Sequence, residues 1–227
     1  MMIPTRLWLG GEVSERRDLP LIRRLMERVR RGAACRPLLV CTDGLVSYIR
    51  AIRETFRDSV HTGKGGRPRL RPWRHVFIAQ VVKRYERRRV VATDRRIIDG
   101  TPARVETLRR RSQGDGVINT AYIERLNATF RECLAPLARR CRALARHILT
   151  LHEGMFLVGT VYNFCTPHTS LSHMQQMTPA MAAGITDHCW TMHELLSFHV
   201  PLPRWVPPKQ RGRPSRALQR LIKRWCS

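Results

Sequence analysis

The sequence predicts an α/β fold in which a mixed sheet is flanked by helices and followed by a helical, basic carboxyl-terminal appendage. Three observations lead there. Leu38 to Cys41 is a short apolar run rich in branched residues and followed by Asp43-Gly44, the pattern of a buried strand ending in a turn. His75 to Val82 and Arg89 to Ile98 are two further strand-like runs flanking K-R-Y-E-R-R, which reads as a hairpin. Between and around them lie stretches with helical spacing of apolar residues, among them Leu21, Ile22, Leu25, Met26 and Val29.

In chain order, Thr5 to Val13 reads as a strand with Leu7 and Leu9 on one face and a bulge or twist at Gly10-Gly11. Asp18 can cap the helix that follows, Pro20 is tolerated in its first turn, and Gly32 stops it. The strand Leu38 to Cys41 delivers Asp43 to its carboxyl end, where open α/β sheets commonly place ligands. Leu45 to Phe56 reads as a helix, and His61 to Arg74, rich in glycine, proline and arginine, as a loop. After the hairpin, Thr101 to Arg111 is helical and Gly114 to Gly116 is a flexible turn.

Asn119 to Arg131 is the next helix. Ile123, Leu126, Phe130, Leu134 and Leu137 fall near one face, with Glu124, Asn127 and Arg131 as an adjacent polar stripe. Pro136 breaks or kinks it, and Leu137 to Phe164 supplies further helix packing before Pro167 leads into a loop. Thr178 to Phe198 reads as short helices packed through Met181, Ile185, Trp190, Leu195 and Leu196. From Pro201 prolines and basic residues dominate, up to a last basic helix over Arg216 to Trp225.

Forty-two Lys and Arg against seventeen Asp and Glu give a net charge of +25, which attracts polyanions and predicts strong, salt-sensitive affinity for nucleic acid. Charge alone is equally compatible with a ribosomal or nucleoid-type basic protein. Seven cysteines, an odd number without a C-x-x-C pair, argue against a disulfide framework and suit a reducing cytosol. No secretory leader is evident, and the apolar stretch Ile148 to Cys165 carries His152 and Glu153, so no membrane span is expected. A cytoplasmic, nucleoid-associated location follows.

An acidic group among Arg125, Arg131, Arg139 and Arg140 needs a reason, and a divalent cation shared by Glu124 with Asp43 is the one to test. The elements T-D-G-x-x-x-Y (Thr42, Asp43, Gly44, Tyr48) and I-E-R-x-N-x-x-x-R (Ile123, Glu124, Arg125, Asn127, Arg131) resemble the second and third acidic segments of bacterial insertion-sequence transposases of the DDE class. Y-N-F-C-T-P-H-T-S-L (Tyr162 to Leu171) resembles a Y-N-x-x-x-P-H-x-S-L segment of integrases and transposases.

The resemblance implies a ribonuclease-H-like core in which three carboxylates hold two magnesium ions, manganese being a possible substitute, for in-line attack on a phosphodiester. Asp43 and Glu124 would be the second and third ligands. The first aspartate of the class lies ahead of the segment that resembles Arg6 to Val13. This chain is therefore expected to lack that ligand, the first strands of the sheet and the usual DNA-reading domain, as in a truncated copy, a split frame or a misplaced start. On this reading residues 1–175 form an incomplete catalytic domain with a basic loop and hairpin inserted at about 61–116. Residues 176–200 form a small helical appendage and 201–227 a Pro-rich basic tail.

Candidate DNA contacts are Lys64, Arg67 and Arg69 in the basic loop and Lys83, Arg84, Arg87, Arg88 and Arg89 at the hairpin. Arg125 and Arg131 on the Glu124 helix, and Arg211 and Arg213 in the tail, complete the set. Gly66-Arg67-Pro68 and R-G-R-P at Arg211 to Pro214 resemble AT-hook cores, against the alternative of a solvated linker. Asn127 and His168 are possible accessory residues; for His168 the alternatives are approach to the scissile phosphate and a tie between loop and helix end. Substrates would be transposon-end and target DNA, and partners further copies or full-length transposase subunits. The competing function is a non-catalytic DNA-binding remnant that inhibits the full-length enzyme.

Other chemistries find little purchase. His193-Glu194 with His199 has the wrong spacing for a zinc protease, and Cys165 with His168, or His188 with Cys189 and His193, would need the fold to gather them. No Walker-type phosphate loop or G-x-S-x-G elbow occurs, so no nucleotide or organic cofactor is expected.

Overall fold

The first helix begins where a side chain can replace the missing backbone partner. In the computed structural model, which describes residues 1–33, 37–61, 63, 66–113, 116–138, 142, 145–172, 176–201 and 215–225, Asp18 accepts a hydrogen bond from Leu21 N at 3.0 Å. That caps α1 (Leu19–Gly32), with Pro20 in the first turn and Ile22 and Met26 buried. β1 (Leu38–Asp43) and α2 (Val46–Thr55) follow at the expected places.

β2 (Arg57–Val60) and β3 (Arg69–Pro72) pair antiparallel, so part of the expected 61–74 loop is strand. Trp73 accounts for the difference. Its N–H donates to Phe56 O at 2.9 Å, its ring packs edge-on against Phe56, and its indole N–H reaches Asp58 at 2.7 Å. These contacts close the mouth of the loop and bring its flanks together.

β4 (Val76–Glu86) and β5 (Arg89–Asp99) form the expected hairpin. The main sheet has the order β1-β4-β5, with β1 parallel and β5 antiparallel to β4, so it is mixed. Alternation along β4 divides the core. Ile78 faces Ile22, Met26, Ala51, Ile52 and Phe56 of the α1 and α2 layer. Phe77, Ala79 and Val81 face Ile118 and Val105 of α3 (Pro102–Gln113). The expected α/β architecture, a mixed sheet with flanking helices, is thus present.

A third cluster joins α4 (Ala121–Cys133) to α5 (Ile148–Phe164) through Leu126, Phe130 and Tyr162 around Trp8. The segment Thr5 to Val13, expected as a strand, forms none. Arg6 and Gly10 have φ of 59° and 123°, which interrupt an extended run. Trp8 finds a side-chain substitute for a strand partner: its N–H donates to Asn163 Oδ1 and its C=O accepts from Asn163 Nδ2, both at 2.9 Å. The indole packs between Phe130 and Phe156 and lies over Gly159, where a Cβ would fall 2.1 Å from the ring.

Pro136 ends the α4 region in a single 3-10 turn, Ala135–Leu137, and among the described residues the next helix spans Ile148–Phe164, the later part of the expected stretch. Ile123, expected on the packed face, is exposed, because α4 buries the narrower Leu126–Phe130 stripe. α6 (Pro179–Ala182) and α7 (Met192–Ser197) are the expected short helices, but Ile185 and Leu196 are exposed rather than packed. Trp190, expected among the packing residues, does pack, against Phe164. The chain divides into two compact units, Met1–Leu195 and Leu196–Ser227. The second contains α8 (Arg216–Trp225), which matches the expected last helix and exposes Arg216, Arg220 and Arg224. Among the described residues no helix is long and apolar enough to cross a membrane.

The Asn163–Trp8 clamp yields a stability prediction. Asn163→Ala leaves a buried N–H and a buried C=O without partners, at a cost of about 2–4 kcal/mol. Urea unfolding should show a lower midpoint at unchanged slope; an unchanged midpoint would mean the clamp contributes nothing.

Candidate carboxylate site and nucleic-acid interface

Asp43 is the last residue of β1, and three contacts hold it there. Its Oδ1 accepts from Leu45 N at 3.2 Å, forming a local turn, and its Oδ2 accepts from Arg17 Nη2 at 2.9 Å. Its backbone oxygen accepts from the buried Gln80 side chain of β4 at 3.0 Å. Gly44 lets the chain turn against the sheet, since a Cβ there would meet Val82 at 3.2 Å. The Asp43 hydrogen bond raises the Arg17 guanidinium further above its usual range.

Glu124 lies in the first turn of α4, where a carboxylate is favoured by the helix dipole. Its Oε1 accepts from Lys83 Nζ and, at 2.6 Å, from Thr120 Oγ1. These two bonds, the lysine first, hold the carboxyl below its ordinary value of 4.5. Lys83 is therefore engaged with Glu124.

β4 relates the two carboxylates. Asp43 is in register with Val81, and Lys83 follows two residues later on the same face. Leu39 and Cys41 pack in the cluster of Phe77, Ala79 and Val81, so alternation puts Asp43 on that face too. The Cα atoms of Asp43 and Lys83 are then roughly 8 Å apart, from strand spacing and rise. Both acidic groups stand at one end of one sheet face, each against its own cation.

Two divalent ions need three carboxylates opening on one space. Among the described residues no group of three or more His, Cys, Asp or Glu side chains gathers. Asp43 and Glu124 spend their charge on Arg17 and Lys83. The residues present do not fit a two-ion centre.

Asn127, one turn beyond Glu124, is exposed, as are Arg125 and Arg131, so the polar stripe of α4 faces outward. His168 sits elsewhere: its ring packs at 4.7 Å against Tyr162, tying the loop to the end of α5, and its backbone N–H donates to Met177 O at 2.9 Å. Burial, and after it the nearby Arg6 cation, pushes the imidazole down. Arg67 and Arg69 are exposed, the latter opening β3. Arg84, Arg87, Arg88 and Arg89 are exposed at the far end of the hairpin. Lys64, Arg211 and Arg213 lie outside the described residues.

Sequence reasoning missed the two cations on the carboxylates. The alternation Phe77, Ala79, Val81, Lys83 is a signal for which way Lys83 points. Arg17, immediately before the capping residue Asp18, carries no comparable signal.

The pair Lys83–Glu124 makes stability depend on acid. A depressed folded value means that its contribution is present above pH about 4.5 and is lost as pH falls through the folded value. Lys83→Met should move the Glu124 carboxyl titration, followed by carbon NMR, upward toward 4.5. An unmoved titration would show that Lys83 does not hold it.

Comparison of the chain with family models, with curated proteins and with solved structures yields no match in any of the three.

Proposed function

We propose that this chain is a DNA-handling protein of the DDE transposase class, built on a ribonuclease-H-like core, that engages transposon-end and target DNA. The observation that carries this reading is the placement of Asp43 and Glu124 at one end of one sheet face. These are the two carboxylates that the resemblance assigns to the second and third acidic segments of the class. The net charge of +25 and the exposed arginines of the hairpin and of α4 support a polyanionic substrate. Further copies or full-length transposase subunits are the proposed protein partners, and the same charge favours association with the nucleoid.

The ion pairs favour the non-catalytic form of this reading. Two carboxylates held by Arg17 and Lys83 give no basis for strand transfer by this chain alone, so its proposed work is occupation of DNA, including inhibition of an active enzyme at shared ends.

Fluorescence anisotropy with a short labelled duplex tests it. Affinity should survive Asp43→Asn and fall about 10³-fold or more between roughly 50 and 200 mM salt, as expected for six or more phosphate contacts. Strand transfer in magnesium or manganese should be absent. Transfer that disappears in both Asp43→Asn and Glu124→Gln would instead assign catalysis to this chain, and a salt-insensitive or undetectable affinity would remove the DNA reading.

A further inference from the structure

Beyond Val81 the sheet narrows to two strands. β1 ends opposite Val81, whereas β4 runs on to Glu86 and β5 returns from Arg89. The pairs from Val82–Asp94 to Glu86–Arg89 therefore form a ribbon to which no third strand is added among the described residues. At about 3.3 Å per residue its five-residue reach is roughly 17 Å. Residues 84–91 are all exposed, including Tyr85 at 62%, Val90 at 50% and Val91 at 52%.

The turn at the tip uses two unsuitable residues. Arg87 and Arg88 close a two-residue loop with φ of 46° and 68°, the left-handed pair that Asn-Gly adopts with little strain. Arginine is costly there because its Cβ crowds the backbone. Strain retained at an exposed tip points to a use for the side chains. Among the described residues no side-chain hydrogen bond or ion pair engages Arg87, Arg88 or Arg89, whereas the Arg84 side chain is bound to Asp94 at 2.7 Å. Lys83 and Arg84 are taken up by Glu124 and Asp94, and Arg87, Arg88 and Arg89 then stand against Glu86 alone, so the cationic excess of the ribbon gathers at its tip.

Resting on the DNA-binding reading above, we propose that the β4–β5 ribbon enters the major groove of duplex DNA with Arg87 and Arg88 leading. The B-form major groove, about 12 Å wide, admits a two-stranded ribbon, and arginine there matches the O6 and N7 acceptors of guanine. Arg89 lies behind the tip, where phosphates line the groove walls. Tyr85, Val90 and Val91 give the ribbon uncovered apolar surface suited to thymine methyl groups. A-form RNA has a major groove too narrow and deep for such an element, so duplex DNA is the favoured partner.

The test compares the full chain with Arg87→Asn/Arg88→Gly, which removes both cations and relieves the turn. Probes are a fluorescein-labelled DNA duplex, the same duplex methylated at guanine N7, and the RNA duplex of equal sequence. The variant should keep or raise its thermal midpoint, by about 2–4 °C, and bind DNA at least tenfold more weakly. N7 methylation should weaken the parent chain and leave the variant unaffected, and the minor-groove ligand netropsin should not compete. If the parent binds DNA and the folded variant binds equally well, the groove proposal fails while the DNA reading stands. Equal affinity for the RNA duplex, or competition by netropsin, also overturns it. If the parent binds no duplex at all, both readings fall together.

Discussion

The burial of β4 from both sides is the constraint on which the rest of the structure depends. Ile78 and Ala79, adjacent in the chain and each 1% exposed, point into opposite layers of the core. A strand covered on both faces needs helices on both, which α1 and α2 supply on one side and α3 on the other. Parallel pairing with β1 then follows from a single register, and that register sets Asp43 beside Val81. The carboxylate's position is thus a consequence of core packing; no separate device is required to aim it.

Positive charge is the second constraint. With so large a cationic excess, acidic residues do most where they join separate elements. Glu12 reaches Arg28 and ties the amino-terminal segment to α1; Glu54 binds Arg23 and ties α2 to α1; Asp99 binds Arg53 and ties the end of β5 to α2. Asp43 with Arg17 and Glu124 with Lys83 follow the same pattern. Partly exposed pairs of this kind are individually weak, but they are directional. A cation binding at Asp43 or Glu124 would have to displace a built-in one.

The parts of this fold legible in the sequence are those set by local periodicity. Asp18 as a cap, the helix faces of Ile22 and Met26, the β1 strand and the hairpin all follow from spacing within a few residues. Non-local partners were not legible. Leu7 and Leu9 alternate as in a strand, yet the segment is held by Asn163, more than 150 residues away, and no periodicity announces that bond. The β2–β3 pairing likewise depends on one tryptophan meeting Phe56 and Asp58. At the site, the carboxylates were visible because their neighbours resemble known segments, while the cations opposing them depend on tertiary placement.

β4 changes character along its length, and the change joins fold to interface. From Val76 to Val81 it is V-F-I-A-Q-V, paired with β1 throughout and with β5 from Ile78, and buried from Phe77; from Lys83 it is K-R-Y-E, paired on one edge and increasingly exposed. The transition falls where β1 stops, so the strand loses its second partner and its apolar sequence together. Lys83 stands at that boundary and binds Glu124. The ladder then shifts register between Arg84 and Tyr85 before it reaches the turn. One strand thus carries the lysine of the carboxylate site at one end of the ribbon and leads into the cationic turn at the other.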